Sequence, residues 1–289
     1  MANQIDSKLV SKFLPIRDEN SNKGSFGKVL NISGSSYFSG AAFLSSKSAL
    51  KVGAGYVILA CPEAIIPRIS PALPELVYYP LKADSYGSIS SDNIIENLYS
   101  YDVVSIGCGL TTNSETQEFV MKIIKEFNKH QKVVIDADAI NILSMHKGEL
   151  SIKNSIITPH PKELARLLNV DLSDVIDNRE KYARISAQTY GCITVLKGHD
   201  TIVTDGEKIF VNTTGNSALA KAGTGDVLTG MIAGFLSQKV SPFKAAMLSV
   251  FLHGLAGDML SEDYTKYSVL ASDVIDYIPF AINEIMDIE

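Results

Sequence analysis

The chain has 289 residues, of which 46% are hydrophobic and 20% are charged, a composition typical of a globular protein with a large buried core. Its formal net charge is −6, and it has no basic cluster with interleaved aromatic residues, which excludes nucleic acid as an expected partner. A protein of this charge can still bind anionic phosphates through helix N-termini and a few lysines.

Cysteine usage and the N-terminal sequence predict a cytoplasmic protein. The cysteines are Cys61, Cys108 and Cys192, an odd number without CxxC spacing. This pattern argues against a disulfide framework or a zinc site and favours a reducing compartment. The first residues contain neither a basic start nor an apolar run, so no signal peptide is expected.

No Pro/Gly/Ser-rich linker, charge block or low-complexity run divides the sequence, so we predict a single domain over residues 1–289. The most apolar helical candidate, residues 245–260, is interrupted by His253 and Asp258 and is too short for a membrane span. This segment is predicted to be a buried core helix, and no membrane contact is expected.

In chain order, short β-branched runs alternate with longer segments that have helical periodicity. The strands are predicted at residues 28–33, 56–60, 102–106, 132–136, 155–158, 193–196, 201–204 and 208–211. The helices are predicted at residues 40–51, 114–128, 161–168, 178–190, 224–238, 242–261 and 272–286. Runs such as VVSI and KVVID are largely apolar, which is typical of strands covered on both faces.

The order of these elements predicts the fold class. The early alternation of strands and helices indicates βαβ units and a mostly parallel sheet. The last two strands flank Asp205-Gly206-Glu207, which indicates a hairpin, and the C-terminal part is helical. We therefore predict a three-layer α/β/α sandwich whose central sheet is mostly parallel with an antiparallel edge.

The segment Gly223-Thr224-Gly225-Asp226 leads directly into a predicted helix. Its unpaired backbone N–H groups, backed by the helix dipole, form an anion hole. Because Asp226 would repel a bound phosphate, we expect it to act as a base that takes a proton from a hydroxyl during phosphoryl transfer. The alternative is an aspartate that caps a structural helix. The neighbouring glycines and the sites below favour the catalytic interpretation.

A second candidate site is Val195-Leu-Lys-Gly-His-Asp-Thr201, in which a strand ends in Lys197-Gly198 and turns back into another strand. A lysine at the carboxyl end of a strand, followed by glycine, is well positioned to meet a nucleotide phosphate or ribose. Taken alone, the segment is equally consistent with a plain hairpin turn that exposes its lysine.

A third candidate, Thr158-Pro-His160-Pro-Lys-Glu163, places His160 and Glu163 at the start of a predicted helix. His160 could hydrogen-bond a substrate, and Glu163 could order water on Mg²⁺, an ion that prefers oxygen ligands and keeps several waters. The alternative is a histidine with local partners and a glutamate that the helix dipole favours.

The glycine-rich segments near the N-terminus differ from standard nucleotide motifs. Gly40-Ala41 at a helix start offers another anion-friendly terminus, but no Gly-Lys-Ser/Thr follows, so this is not a Walker A loop. The GxG triplets at Gly53, Gly107 and Gly223 lack the third glycine of the Rossmann fingerprint. HExxH and GxSxG are absent from the sequence, which excludes zinc hydrolases of that class and α/β-hydrolases.

Together these segments resemble the ADP/ATP-dependent NAD(P)H-hydrate dehydratase family of the ribokinase-like superfamily. The matching segments are KGSFGKVLNISGS, GAA, IGCGL, DADAINIL, TPHPKE, VLKGHDT and NTTGNSALAKAGTGDVLTGMIAG, and they extend over nearly the whole chain. GTGD alone would indicate only a ribokinase-like protein. Its combination with KGxxG and TPHPKE is specific to this family, so the resemblance implies a ribokinase-like α/β/α sandwich.

The resemblance also implies roles for individual residues. The residues expected to contact the hydrated dinucleotide are Gly40, Ala41, Gly109, His160 and Asp226, the last of them at the reacting hydroxyl. The residues expected to bind the adenine nucleotide are Lys197, Gly198, His199, Asp200, Thr201, Asn216 and Gly225. The wider superfamily has an asparagine three residues before its magnesium-linked glutamate. Here His160 occupies that position and Glu163 is kept, which suits the dehydratases and disfavours a sugar kinase.

The activity implied by the resemblance uses ADP or ATP as co-substrate together with Mg²⁺. The ring hydroxyl of the S epimer of hydrated NADH or NADPH is phosphorylated, and elimination of phosphate then restores the reduced dinucleotide. Family members that use ADP resemble this chain more closely. Some members carry an epimerase domain before this one. Because little sequence precedes Lys23, we expect that domain to be absent and a separate epimerase to act alongside a homo-oligomer, such as a tetramer.

Two alternative functions have distinct signatures. A ribokinase-like vitamin or sugar kinase would release a stable phosphorylated product, whereas the dehydratase releases inorganic phosphate. A non-catalytic nucleotide-binding protein would have no use for Asp226 inside an anion hole. Fold analogy alone does not choose among these functions, so the choice rests on the site residues.

Overall fold

The computed structural model describes residues 3–127, 131–146, 148 and 152–286. The strands of the described residues are β1 (Asn3–Ile5), β2 (Lys28–Ile32), β3 (Tyr56–Pro62), β4 (Val77–Leu81), β5 (Val103–Ile106), β6 (Lys132–Ile135), β7 (Ile156–Ile157), β8 (Ile193–Leu196), β9 (Thr201–Thr204) and β10 (Ile209–Asn212). They form one sheet in the order β1-β10-β9-β8-β7-β6-β5-β2-β3-β4.

The helices of the described residues alternate with these strands and then close the chain. They are α1 (Ser7–Ser11), α2 (Ser39–Lys51), α3 (Ile66–Ile69), α4 (Ser114–Glu126), α5 (Ala137–Met145), α6 (Pro161–Leu168), α7 (Leu172–Asp177), α8 (Arg179–Tyr190), α9 (Thr224–Ser237), α10 (Pro242–Asp263) and α11 (Ala271–Met286). The predicted strands and helices are all present, with ends that differ by at most two residues. The last residue of the predicted helix 114–128 lies outside the described residues.

The sheet is mostly parallel, and its antiparallel pairing lies toward one edge, as predicted. Strand β9 runs antiparallel to both β8 and β10, and the hairpin turn lies at residues 205–207. The short strand β1 pairs in parallel with β10 outside this hairpin, and β4 closes the opposite edge against β3. Neither edge strand was predicted from the sequence.

Two apolar layers cover the faces of the sheet and confirm the α/β/α sandwich. On one face, Val103 of β5 and Val134 of β6 pack in the core formed with α2, α9, α10 and α11. On the other face, Val104 and Ile135 of the same strands pack with α4 and α5. Both faces of the central strands are therefore buried, which is why these strands are apolar along their length.

Helix α10 is long and apolar enough to cross a membrane when judged by length and composition alone. Of its most apolar window, however, 67% is buried inside the fold. Burial of this extent is expected of a core helix, in agreement with the sequence-based prediction for residues 245–260.

The close contact between α2 and α9 depends on glycine. A Cβ atom at Gly230 of α9 would collide with the backbone oxygen of Ser45 and with Ser48 Oγ of α2. A Cβ atom at Gly234 would lie 2.6 Å from the backbone oxygen of Ala49. The two glycines let the helix backbones approach, and this approach fixes the position at which α9 begins.

We predict that Gly230→Ala lowers the free energy of unfolding by about 1–3 kcal/mol, because overpacking outweighs the better helix propensity of alanine. Gly40 in the first turn of α2 provides the control, since a Cβ atom there would have no neighbour within 4 Å. Urea denaturation of both variants is the measurement. Equal stability of Gly230→Ala and Gly40→Ala would contradict the role of close helix packing.

Candidate active site

The carboxyl ends of the parallel strands bring the predicted site residues to one edge of the sheet. Gly107–Gly109 follow β5, Asp136 follows β6, and Lys197 follows β8. The segment before α6 follows β7, and the backbone N–H of Lys197 donates to the Pro159 carbonyl at 2.9 Å. Ligand sites in open α/β sheets form at this edge, where successive loops diverge.

A buried ion pair lies at the centre of this edge. Lys197 Nζ is 2.7 Å from Asp136 Oδ1, and Thr229 Oγ1 donates to Asp136 Oδ2 at 2.6 Å. Asp136 is only 1% exposed. Burial favours the neutral form of Lys197, but the charges of Asp136 and Glu163 and the hydrogen bond to Asp136 outweigh it and raise the pKa of the ammonium. Lys197 is therefore a fixed positive charge.

Asp136 and Thr229 are site residues that the sequence analysis did not assign. DADAINIL was recognised as a matching segment, but no role was given to its first aspartate. The available signal was a carboxylate placed directly after the apolar strand β6, at the edge of the sheet where ligands bind. Thr229 carries no comparable signal, because it lies among apolar residues inside α9.

Asp226 lies in the first turn of α9, behind Gly223, whose φ of 94° is in the left-handed region that glycine adopts readily. Burial, followed by the charge of Asp136, raises the pKa of Asp226 to about 6, while Cys108 and Lys197 act in the opposite direction. Among the described residues, no hydrogen-bond acceptor pairs with the backbone N–H groups of Gly225 and Asp226. These features match a base beside an anion hole.

The anion hole predicted at Gly223, Thr224 and Gly225 is only partly free of other contacts. The Thr224 N–H points to the Lys221 carbonyl at 3.5 Å, and its hydroxyl donates to the carbonyls of Leu219 and Lys221, at 2.9 Å each. Thr224 therefore stabilises the preceding loop. The first-turn N–H groups beyond it are the donors available to an anion.

Three of the residues predicted for the dinucleotide, Gly40, Ala41 and Gly109, lie together around the start of α2. A Cβ atom at Gly109, whose φ is 65°, would lie 2.8 Å from the Cβ of Ala41. Gly40 is exposed, and a Cβ atom there would meet nothing within 4 Å. The neighbouring Cys108 is buried, and its pKa is raised by burial and, next, by the nearby charge of Asp226. Gly40, Ala41 and Gly109 therefore form an open surface that leads to Asp226.

His160 and Glu163 form a reciprocal cap at the start of α6. The His160 N–H donates to Glu163 Oε2 at 2.8 Å, and the Glu163 N–H donates to His160 Nδ1 at 3.2 Å. The locally satisfied arrangement considered above is thus present. The His160 side chain is still 46% exposed, and its Nε2 lies 3.4 Å from Glu163 Oε1.

Both members of this cap have altered pKa values. Burial raises the pKa of Glu163 to about 7, with Asp136 adding to the effect and Lys197 opposing it. Burial lowers the pKa of His160, and the charge of Lys197 acts in the same direction. Within the described residues, no group of three or more His, Cys, Asp and Glu side chains is arranged to hold a metal ion. A cation here would need ligands from a substrate.

A cavity of about 360 Å³ opens beside Lys197. The predicted nucleotide residues all line it: Lys197, Gly198, His199, Asp200, Thr201, Asn216 and Gly225. Thr224 of the predicted anion hole also lines it. Other wall residues were not predicted, among them the apolar Leu219, Leu228 and Val250 and the polar His253.

The amide of Asn216 is held by the protein rather than left free. It donates to Asp258 Oδ1 at 2.7 Å and to Ser261 Oγ at 3.0 Å, and its oxygen accepts from the Ala218 N–H at 2.9 Å. The second oxygen of Asp258 accepts from the Gly215 N–H at 2.7 Å. Asp258 on α10 therefore fixes the loop that forms one wall of the cavity.

Gly225 lies on the cavity wall next to the buried ion pair. A Cβ atom there would lie 3.3 Å from Lys197 Nζ and 4.0 Å from Asp136 Oδ2. A glycine at this position leaves room for a ligand group next to the ammonium. The cavity therefore reaches the residue that directly precedes Asp226.

We predict that Asp136→Ala lowers the free energy of unfolding by about 3 kcal/mol, because it leaves the buried Lys197 ammonium without its partner. The exposed pair of Lys82 and Asp92, whose charged atoms are 2.9 Å apart, supplies the control variant Asp92→Ala. This variant should have little effect, since water screens an exposed pair. Chemical denaturation measures both changes, and similar losses would contradict the central role of Asp136.

A family model described as NAD(P)H-hydrate dehydratase matches residues 29–280. An ADP-dependent (S)-NAD(P)H-hydrate dehydratase from Bacillus subtilis is 34% identical over 268 residues, which cover 92% of this chain and 92% of the relative. A bifunctional NAD(P)H-hydrate repair enzyme from Dictyoglomus turgidum is 35% identical over 98% of this chain and 55% of its own length. The chain spans about half the length of the bifunctional relatives it matches.

The structural comparison agrees with the sequence comparison. The crystal structure of the ADP/ATP-dependent NAD(P)H-hydrate dehydratase from Bacillus subtilis, co-crystallised with ATP/Mg²⁺, matches with a TM-score of 0.86 and 30% identity. The match covers 98% of this chain and 99% of that one. The fold is the ribokinase-like α/β/α sandwich. On all these grounds, the chain belongs to the NAD(P)H-hydrate dehydratase family.

Proposed function

We propose that this chain catalyses the ADP- or ATP-dependent dehydration of the S epimer of hydrated NADH and NADPH, which returns the reduced dinucleotides. The observation that carries the proposal is the position of Asp226, a buried carboxyl with a raised pKa between the surface at Gly109 and the cavity at Lys197. A group-transfer enzyme needs such a base where its two substrates meet.

The two regions suit the two substrates. The open surface at Gly40, Ala41 and Gly109, with the half-exposed side chain of His160, would receive the hydrated nicotinamide ring. The cavity beside Lys197 would hold the adenine nucleotide, with its terminal phosphoryl group directed toward Gly225. Lys197 and the first-turn N–H groups of α9 then face the transferring phosphoryl group, where negative charge develops.

The reaction follows from the poor leaving ability of hydroxide. Asp226 takes the proton of the ring hydroxyl while the hydroxyl oxygen attacks the terminal phosphorus of the nucleotide. The leaving group is AMP when the donor is ADP, and ADP when the donor is ATP. The lone pair of the ring nitrogen then expels inorganic phosphate. Loss of a proton from the adjacent ring carbon restores the reduced ring, so atoms and charges balance as a net loss of water that is coupled to nucleotide hydrolysis.

We also propose that Mg²⁺ accompanies the nucleotide, with Glu163 holding one of its waters. The Glu163 carboxyl is 5% exposed and has a pKa raised to about 7, so a nearby cation would favour its charged form. One carboxylate with phosphate oxygens and waters is a usual Mg²⁺ environment. When bound, the ion neutralises charge on the phosphate oxygens.

A cytoplasmic homo-oligomer that works beside a separate epimerase is part of the same proposal. The thiols of Cys61, Cys108 and Cys192 are all buried and free, which supports a reducing compartment. Burial raises the pKa of Cys61 to about 12, so this thiol is not a reactive nucleophile at neutral pH.

We predict that Asp226→Asn binds ADP and ATP as the wild type does but loses at least about a hundredfold in turnover, the usual scale for removing a general base. Asp174, another first-turn aspartate on the exposed helix α7, provides the control variant Asp174→Asn. Production of reduced dinucleotide from its hydrate is the measurement. Near-normal turnover of Asp226→Asn would contradict the proposed base.

We further predict that kcat/KM falls as the pH drops below about 6, the pKa of Asp226. The base acts only when ionised. Because its pKa is raised, protonation removes activity at a higher pH than for an ordinary aspartate. A pH–rate profile between about pH 5 and about pH 8 measures this limb. A flat profile over that range would count against Asp226 as the group that titrates.

A further inference from the structure

Arg179, the first residue of α8, lies against the turn of residues 197–200, which lines the cavity proposed for the nucleotide. The arginine itself lines a different pocket, which it shares with Asp200. Its side chain is half-buried, and burial lowers the pKa of the guanidinium while the charge of Asp200 opposes this effect. The reaction steps described above do not use this residue.

The guanidinium of Arg179 donates hydrogen bonds to the backbone at both ends of this turn. Its Nη2 atom donates to the carbonyls of Leu196 at 3.2 Å, Lys197 at 3.4 Å and Asp200 at 3.5 Å. Hydrogen bonds from a charged donor are stronger than those between neutral groups. One side chain of α8 therefore ties the end of β8 to the residue that precedes β9.

This contact sets the orientation of the peptide between Lys197 and Gly198. In a planar trans peptide, the carbonyl and the N–H group point in opposite directions. Because the Lys197 carbonyl accepts from Arg179, the Gly198 N–H points away from the arginine. Among the described residues, no acceptor pairs with this N–H group, and Gly198 lines the cavity. The Gly198 N–H is therefore a donor available to a ligand there.

The close approach of the guanidinium depends on glycine at position 198. The φ of Gly198 is 138°, and a Cβ atom there would lie 2.9 Å from Nη1 and 3.2 Å from Nη2 of Arg179. A side chain at this position would displace the guanidinium. The Gly198 carbonyl also accepts from the Thr201 hydroxyl at 2.9 Å. The Lys197 ammonium is held separately by Asp136, so Arg179 controls the turn and not the buried ion pair.

We propose that Arg179 is a positioning residue for the nucleotide, which holds the turn of residues 197–200 so that the Gly198 N–H can donate to an oxygen of the bound nucleotide. The inference rests on the proposed function, because it requires an adenine nucleotide in this cavity. Arg179 acts through the backbone of the turn. Its loss should therefore weaken nucleotide binding more than it slows the chemical step.

The test compares wild type with Arg179→Ala, Arg179→Lys and the control variant Arg184→Ala. Arg184 lies on the same helix and donates to the Glu207 carbonyl at 3.0 Å, in the hairpin turn between β9 and β10. Calorimetry gives the Kd of ADP and of ATP with Mg²⁺. Steady-state rates with hydrated NADH give KM and kcat, and urea denaturation gives the stability of each variant.

We expect Arg179→Ala to raise Kd and KM for the nucleotide about tenfold, because the turn loses three hydrogen bonds to a charged group. Arg179→Lys keeps a charged donor without the planar fork, so it should raise both constants less. The kcat of Arg179→Ala should stay within about twofold of wild type. Arg184→Ala should bind nucleotide as the wild type does.

A folded Arg179→Ala that binds nucleotide as tightly as wild type overturns the inference, even if it is less stable, because a purely structural arginine would give that result. Equal weakening in Arg184→Ala also overturns it. If wild type binds nucleotide but forms no reduced dinucleotide, the proposed function fails and the Kd values still test Arg179. Absence of nucleotide binding by wild type removes both proposals.

A second measurement covers the case in which neither Arg179 variant folds. The amide resonance of Gly198 in wild type should shift when ADP or ATP binds, because its N–H then donates to the ligand. An unchanged resonance in the nucleotide-bound protein overturns the inference.

Discussion

The site is organised around the buried ion pair between Lys197 and Asp136. Each partner follows a parallel strand, and Thr229 of α9 donates to the second oxygen of Asp136, so one carboxylate connects β6, β8 and α9. Placing both charges out of water is costly, and their close contact offsets that cost. The helix that carries Asp226 is therefore held against the lysine that faces the proposed nucleotide.

The same pair accounts for the electrostatics of the site. An acidic protein must concentrate positive potential locally to bind phosphates, and Lys197 with the N–H groups of α9 supplies it. The carboxyls around this lysine cannot all ionise easily once buried. The pKa of Asp226 is raised to about 6 and that of Glu163 to about 7. A pKa near neutral pH is what Asp226 needs to accept a proton as the proposed base.

Sequence patterns predicted the central strands because burial on both faces leaves an apolar run, as in β5 and β6. The edge strands were missed because NQI is too short and VYYPL contains Pro80, which is tolerated only at an edge. Motifs located Asp226 and the loop at Lys197. The pairing of Asp136 with Lys197 joins residues 61 positions apart, so it has no local sequence signal.

The most direct test of the account is the absorbance of reduced nicotinamide in mixtures of the protein, Mg²⁺ and hydrated NADH with ADP, with ATP or with no nucleotide. We predict a rise that requires a nucleotide and is matched by release of inorganic phosphate. No stable phosphorylated dinucleotide should form. A well-folded protein that gives no rise with either nucleotide would contradict the dehydratase assignment, and a stable phosphorylated product would point to a kinase.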